Sequence, residues 1–169
     1  MMIHNFDPIL VDFGMIQVRW YSLAYIFGIL LGWWYGKTIL KKHMENQKIY
    51  LENFDDLVGY IILGIIVGGR LGYVIFYNPS FYFDNLSEVF KIWKGGMSFH
   101  GGLIGVIIVI YIFSNLKNLN YKIYFDTISS VAPIGIFFGR IANFINGELY
   151  GVPTKKSWGV IFPEVDSNV

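Results

Sequence analysis

Long runs without a charged residue constrain this chain more than any other feature. From residue 20 to 36 the run WYSLAYIFGILLGWWYG carries no charge, and with a few flanking positions it reaches the roughly 20 residues needed to cross a hydrocarbon layer about 30 Å thick. A second run, residues 57–77 (LVGYIILGIIVGGRLGYVIFY), contains Arg70 as its single charge. A third, 97–113, reads MSFHGGLIGVIIVIYIF, and a fourth, 128–145, reads ISSVAPIGIFFGRIANFI and holds Arg140. Of the 169 residues 54% are hydrophobic and only 15% charged, against about a quarter charged in ordinary soluble domains. Such a chain lacks the polar groups to cover a water-facing surface. The expected fold class is all-α, a polytopic membrane helix bundle with about four transmembrane helices, in one integral membrane domain covering residues 1–169.

The same numbers disfavour other classes. A net charge of +1 on an apolar chain disfavours disorder and a nucleic-acid arm, and the absence of cysteine leaves no disulfide scaffold, thiol nucleophile or thiolate metal ligand. No metal and no cofactor are expected. The first run does not read as a cleaved signal, because the first basic residue is Arg19 and no small-x-small site follows the run. Lys37, Lys41, Lys42 and Lys48 lie between runs one and two, and Lys117 and Lys122 between three and four. Lys91, Lys94, Lys155 and Lys156 lie on the other side, giving six lysines against four. Basic loops stay cytoplasmic, so the N-terminus is expected outside.

Glycines recur at four-residue spacing within each run: Gly28, Gly32 and Gly36; Gly64, Gly68 and Gly72; Gly101 and Gly105; Gly135 and Gly139. That spacing keeps them on one helix face, and small-xxx-small faces let membrane helices approach closely. No nucleotide-binding glycine pattern accompanies them. Pro133, inside the fourth run, is expected to free a carbonyl or kink the helix. Trp20, Tyr21, Trp33, Trp34, Tyr35, Tyr77 and Trp93 lie near span ends, where aromatic belts form.

Ionisable groups at membrane depth cost about 2.5–3.5 kcal/mol each on insertion scales and persist where they are paired or used. Arg70 reads either as a snorkelling or helix-pairing arginine or as a headgroup contact. His100, between glycine pairs in GGMSFHGG, reads either as a packing histidine or as a base; His4 and His43 sit in a tail and a loop. The densest polar stretch is GRIANFINGELYG, residues 139–151. If the helix continues through it, Arg140, Asn143 and Gly147 share a face within about 60°. Arg140 there requires an anion, either Glu148 in a closed pair or a lipid phosphate, which a guanidinium fork fits. Asn143 and Asn146 add hydrogen-bonding capacity for a polyol headgroup. Tyr21 and Tyr25 point along the Gly28 and Gly32 face, and Tyr21 reads as interfacial or catalytic.

GRIANFINGELYG resembles the signature of the prolipoprotein diacylglyceryl transferases, enzymes of the bacterial inner membrane. RWYSLAY at 19–25, GGRLGYVIFYN at 68–78, WKGGMSFHGGLIG at 93–105 and FDPI at 6–9 resemble further family blocks in the same order. The resemblance implies transfer of an sn-1,2-diacylglyceryl group from phosphatidylglycerol to the lipobox cysteine of a preprolipoprotein, releasing glycerol phosphate. The partners it implies are that lipid, that thiol and the bilayer of the inner membrane, with no nucleic acid. It also implies a phospholipid-binding Arg140 with Asn143, Asn146 and Arg70 beside it, catalytic roles for His100, Tyr21 and Glu148, and structural roles for Gly139 and Gly151. The thiol belongs to the substrate, so a chain without cysteine is no obstacle. Family members continue through further spans with another arginine and a glutamate, whereas this sequence stops in the polar stretch 163–169; it is expected to be an N-terminal portion, with doubtful activity alone. Two other readings stay open: a small anion transporter or channel, and an inactive fragment of the transferase.

Overall fold

In lipid a backbone must satisfy its own hydrogen bonds, and long apolar runs do so as helices. The computed structural model describes residues 2–14, 17–43 and 47–163; the polar stretch 164–169 lies outside the described residues. Short strands β1 (Met2–Ile3), β2 (Ile9–Asp12) and β3 (Gln17–Arg19) precede helix α1 (Trp20–His43) and helix α2 (Gln47–Phe76). Then come a short helix α3 (Pro79–Asp84), two 3₁₀ turns (Leu86–Phe90 and Ile92–Lys94), α4 (Phe99–Leu116), α5 (Tyr121–Ile145) and strand β4 (Val160–Ile161). Among the described residues four helices, α1, α2, α4 and α5, are long and apolar enough to cross a membrane. The expected polytopic helical class is what the chain forms. Three helices run well past their apolar runs: α1 continues through Lys37, Lys41 and Lys42, α2 begins at Gln47 rather than 57, and α5 begins at Tyr121 rather than 128. Lysine is a good helix former, so charges end the apolar run and not the helix. Helix α5 runs unbroken through Pro133.

Contacts group the chain into two compact units, Met1–Trp34 with Val131–Val169, and Tyr35–Ser130. The second unit is built on α2 and α4. A Cβ added to Gly68 would land on the carbonyl oxygen of Gly101, one on Gly105 would land on that of Gly64, and one on Gly72 would sit 2.8 Å from the Gly101 Cα. The two backbones therefore touch, as the glycine spacing predicts. Ser98 caps α4, its Oγ accepting from the Gly101 N–H at 3.2 Å, and its own N–H donates to the Gly69 carbonyl at 2.8 Å. Phe54 and Tyr124 are fully buried with Leu40, Leu57 and Ile110; the Tyr124 hydroxyl donates to the Tyr50 carbonyl at 3.1 Å. Gly36 admits the Phe54 ring, and Lys37 pairs with Asp55 at 2.7 Å.

In the first unit, β1 pairs parallel with β4, and β2 antiparallel with β3 across a bulge. A Cβ on Gly28 would meet the Gly135 Cα at 3.0 Å, and Gly32 faces Val131. The expected packing face stops there, because a Cβ on Gly139 would meet nothing within 4 Å.

Candidate functional site

The end of α5 gathers most of the polar residues that the sequence singles out. The helix does not continue through Gly147, as the shared-face reading requires; it ends at Ile145. The Glu148 N–H donates to the Asn143 carbonyl at 2.8 Å and the Gly147 N–H to that of Phe144 at 3.1 Å, with Gly147 at φ 68°. This is a Schellman motif, which needs a left-handed residue just past the helix. The stop turns Glu148 back over the last helical turn, where the Asn146 Nδ2 donates to its Oε1 at 3.3 Å. Leu149 follows at φ 52°, a conformation unusual for a leucine and characteristic of strained sites.

Arg140 lies two turns before this cap, exposed, with Asn143 one turn on. Among the described residues no hydrogen bond or ion pair engages its guanidinium, so the closed pair with Glu148 does not form. The buried Oδ1 of Asn146 likewise has no hydrogen-bond partner among them. The Tyr21 hydroxyl lies 3.2 Å from that of Tyr25. The first unit holds Tyr21 in the first turn of α1, Arg140 and Asn143 in the last turns of α5, and Asn146 and Glu148 just past its end. A methyl group placed on Gly139 or Gly151 would meet nothing within 4 Å, so no close neighbour requires glycine at either position.

His4 is a residue that the sequence reasoning set aside. Its Nε2–H donates to the Phe144 carbonyl at 2.6 Å, its ring meets those of Phe6, Phe144 and Phe162, and it lies beside Gly147. Its backbone N–H donates to the Ile161 carbonyl at 2.8 Å. His4 therefore fastens the N-terminal segment to the α5 cap. Only pairing between residues 2–3 and 160–161 brings it there, and nothing local in the sequence signals that.

Arg70 and His100 belong to the second unit. Arg70, expected beside a phospholipid, is 5% exposed and turned to backbone. Its Nε donates to the Val89 carbonyl (2.8 Å), one terminal nitrogen to Gly95 (2.6 Å) and Gly96 (3.1 Å), and the other to Glu88 (2.6 Å); the Tyr82 ring lies 5.2 Å away. Four of its five N–H donors are committed to carbonyls, which ties the α2–α4 connection to α2. His100 occupies the first turn of α4, exposed, edge-on to Phe99 at 5.6 Å.

The family model described as prolipoprotein diacylglyceryl transferase matches residues 8–169. The chain belongs to the prolipoprotein diacylglyceryl transferase family. It is similar to proteins named phosphatidylglycerol–prolipoprotein diacylglyceryl transferase in Rickettsia bellii (strain OSU 85-389; 54% identical over 165 residues, 98% of this chain), Rickettsia felis (strain ATCC VR-1525 / URRWXCal2; 51% over 162 residues, 96%) and Rickettsia canadensis (strain McKiel; 49% over 166 residues, 98%). The chain spans 62–63% of the length of these relatives. Within this transferase-family chain, residues 139–151 run from the open face of α5 through the Schellman cap to the exposed loop beyond it.

Proposed function

We propose that this chain works in the bacterial inner membrane, in the transfer of an sn-1,2-diacylglyceryl group from phosphatidylglycerol to the lipobox cysteine of a preprolipoprotein. The observation that carries this reading is Arg140: an exposed guanidinium on an apolar, membrane-length helix, without an ion pair among the described residues, in a chain of the transferase family. A charge at that depth needs an anion, and the phosphodiester of a lipid offers two oxygens to the guanidinium fork. In this reading Asn143 and Asn146 hydrogen-bond the glycerol hydroxyls, which the unpartnered buried oxygen of Asn146 among the described residues supports.

In the reaction the thiol gives up its proton and the sulfur attacks the glycerol carbon that carries the phosphate. A carbon–sulfur bond forms, the carbon–oxygen bond breaks, and glycerol phosphate departs with the bonding electrons. Arg140 stabilises the charge growing on the leaving phosphate. His100 and Glu148 supply groups able to take the thiol proton, and the Tyr21 hydroxyl is a donor for the reacting oxygen atoms.

The test is the full-length protein in phosphatidylglycerol vesicles with a lipobox peptide, followed by mass spectrometry. A thioether-linked diacylglyceryl product with stoichiometric glycerol phosphate is expected. Release of water-soluble phosphate without a lipidated peptide, or no turnover, contradicts the reading.

A further inference from the structure

Between helix α5 and strand β4 the chain crosses residues 148–159, which form neither helix nor strand. Glu148 opens this loop and Gly151 lies within it. Backbone hydrogen bonds hold its interior sparsely: Gly159 donates to the Lys156 carbonyl at 3.0 Å, and among the described residues none engages residues 149–153. Leu149 sits at φ 52°, where a leucine needs support from its surroundings. The interior does not fix the course of the loop, so its two ends must.

Both ends are fastened by one residue. The Nε2 of His4 bonds to the Phe144 carbonyl at 2.6 Å; a carbonyl only accepts, so Nε2 carries the hydrogen. The backbone N–H of the same residue donates to the Ile161 carbonyl at 2.8 Å. Phe144 belongs to the last turn of α5, where carbonyls lack intrahelical donors, and Ile161 ends strand β4. The imidazole completes the closure. Its centroid lies 4.9 Å from that of Phe162 and 5.4 Å from that of Phe144, and its Cε1 would be 3.6 Å from a Cβ on Gly147. From within the loop, the Tyr150 ring packs on Phe162 at 5.7 Å. A surface loop with its ends drawn together in this way is a form that often carries function.

We propose that His4 is a positioning residue for diacylglyceryl transfer. By tying Phe144 to Ile161 through one side chain and one backbone amide, it closes the loop 148–159 and holds Glu148 at the end of α5, together with the Asn146 amide that donates to it at 3.3 Å. The inference rests on the transferase reading above and deepens it. His4 acts through the α5 cap and touches no substrate. What the position requires is a donor of the right reach. Glutamine extends its amide about as far as Nε2, asparagine stops near Nδ1, and phenylalanine keeps a ring without a hydrogen to donate. All three keep the backbone N–H that bonds to Ile161, so these variants isolate the side-chain tie from the β1–β4 pairing.

The test uses the full-length protein in phosphatidylglycerol vesicles. The parent, His4→Gln, His4→Asn and His4→Phe are assayed for transfer to a lipobox peptide and followed by hydrogen exchange. In His4→Asn and His4→Phe, kcat is expected to fall by about tenfold or more, the scale of a small misplacement at a reacting centre, with KM for the peptide unchanged. Exchange of the Gly147 and Glu148 amide hydrogens, both bonded to α5 carbonyls, is expected to quicken in the same two variants while the α2–α4 seam stays protected. His4→Gln is expected to restore both readouts. Should His4→Phe fail to fold, the asparagine and glutamine variants still decide the question. Unchanged exchange at Gly147 and Glu148 in His4→Asn overturns the proposal, as does quickened exchange with full kcat, or a His4→Gln as slow as His4→Asn. A parent that transfers nothing contradicts the transferase reading and this proposal with it, whereas an active parent matched by all three variants contradicts only the role of His4.

Discussion

Two regions of this chain place an arginine in an apolar helix and treat it in opposite ways. Along the α2–α4 seam, glycine backbones touch and Arg70 is enclosed, its donors spent on four loop carbonyls. At the end of α5, a methyl at Gly139 would meet nothing, Arg140 is exposed without an ion pair among the described residues, and the buried Asn146 oxygen has no partner among them. A saturated arginine holds protein to protein. An open arginine, in the same stretch as an unsatisfied amide oxygen, is available to a partner outside the described residues. Both are arginines in helices long and apolar enough to cross a membrane; the backbone acceptors in reach distinguish them.

Substitutions can break this comparison, and the seam should give the largest effects. Gly105→Val puts a branched side chain on the Gly64 carbonyl, and overpacking against backbone should cost about 3 kcal/mol, read as the unfolding midpoint in detergent. Gly139→Ala, in open space, should be neutral or gain up to about 1 kcal/mol from helix propensity. Equal losses at the two glycines would erase the distinction between closed and open regions.

Next comes the arginine pair. Arg70→Gln leaves several buried carbonyls unmet and should cost about 2–3 kcal/mol, seen also as faster proteolysis within residues 79–98. Arg140→Gln should stay within about 0.5 kcal/mol of the parent. A smaller effect is expected at the α5 cap: Gly147→Ala must hold φ 68° with a Cβ, costing about 1 kcal/mol. Because Glu148 is aimed by that cap, turnover should fall by more than the stability loss explains.

The smallest effect concerns pH. Hydrogen bonds from Lys91, then Lys94, hold the Glu88 carboxyl below the usual carboxylate range. A depressed native value means the contribution is complete above the ordinary carboxylate range and is lost as pH falls through the native value. Hydrogen-exchange protection of residues 79–98 should therefore weaken on acidification, and Glu88→Gln should flatten that dependence.

The helices and the glycine seam were legible because both are periodic: apolar runs interrupted by charge, and glycines four apart at Gly64, Gly68, Gly101 and Gly105. Helix ends were less legible, since Lys37, Lys41 and Lys42 leave the apolar run without leaving the helix. The shared face of Arg140, Asn143 and Gly147 holds only if the helix continues, and it ends at Ile145; the Asn-Gly pair after an apolar stretch is a stop signal. The roles of Arg70 and His4 depend on partners far along the chain, at residues 88–96 and 144–162. No spacing rule within either segment encodes such contacts. The residues around Arg140 were legible as a polar cluster, but its lack of a closing carboxylate was visible only once Glu148 had been placed.

We propose that Arg140 meets lipid phosphate, whereas Arg70 is held by backbone carbonyls. Native mass spectrometry of the full-length protein, released from mixed micelles containing phosphatidylglycerol, tests it directly when the parent, Arg140→Gln and Arg70→Lys are compared. Phosphatidylglycerol is expected to stay on the parent and on Arg70→Lys, and to be lost from Arg140→Gln with the fold intact. Undiminished lipid retention by Arg140→Gln would contradict the claim.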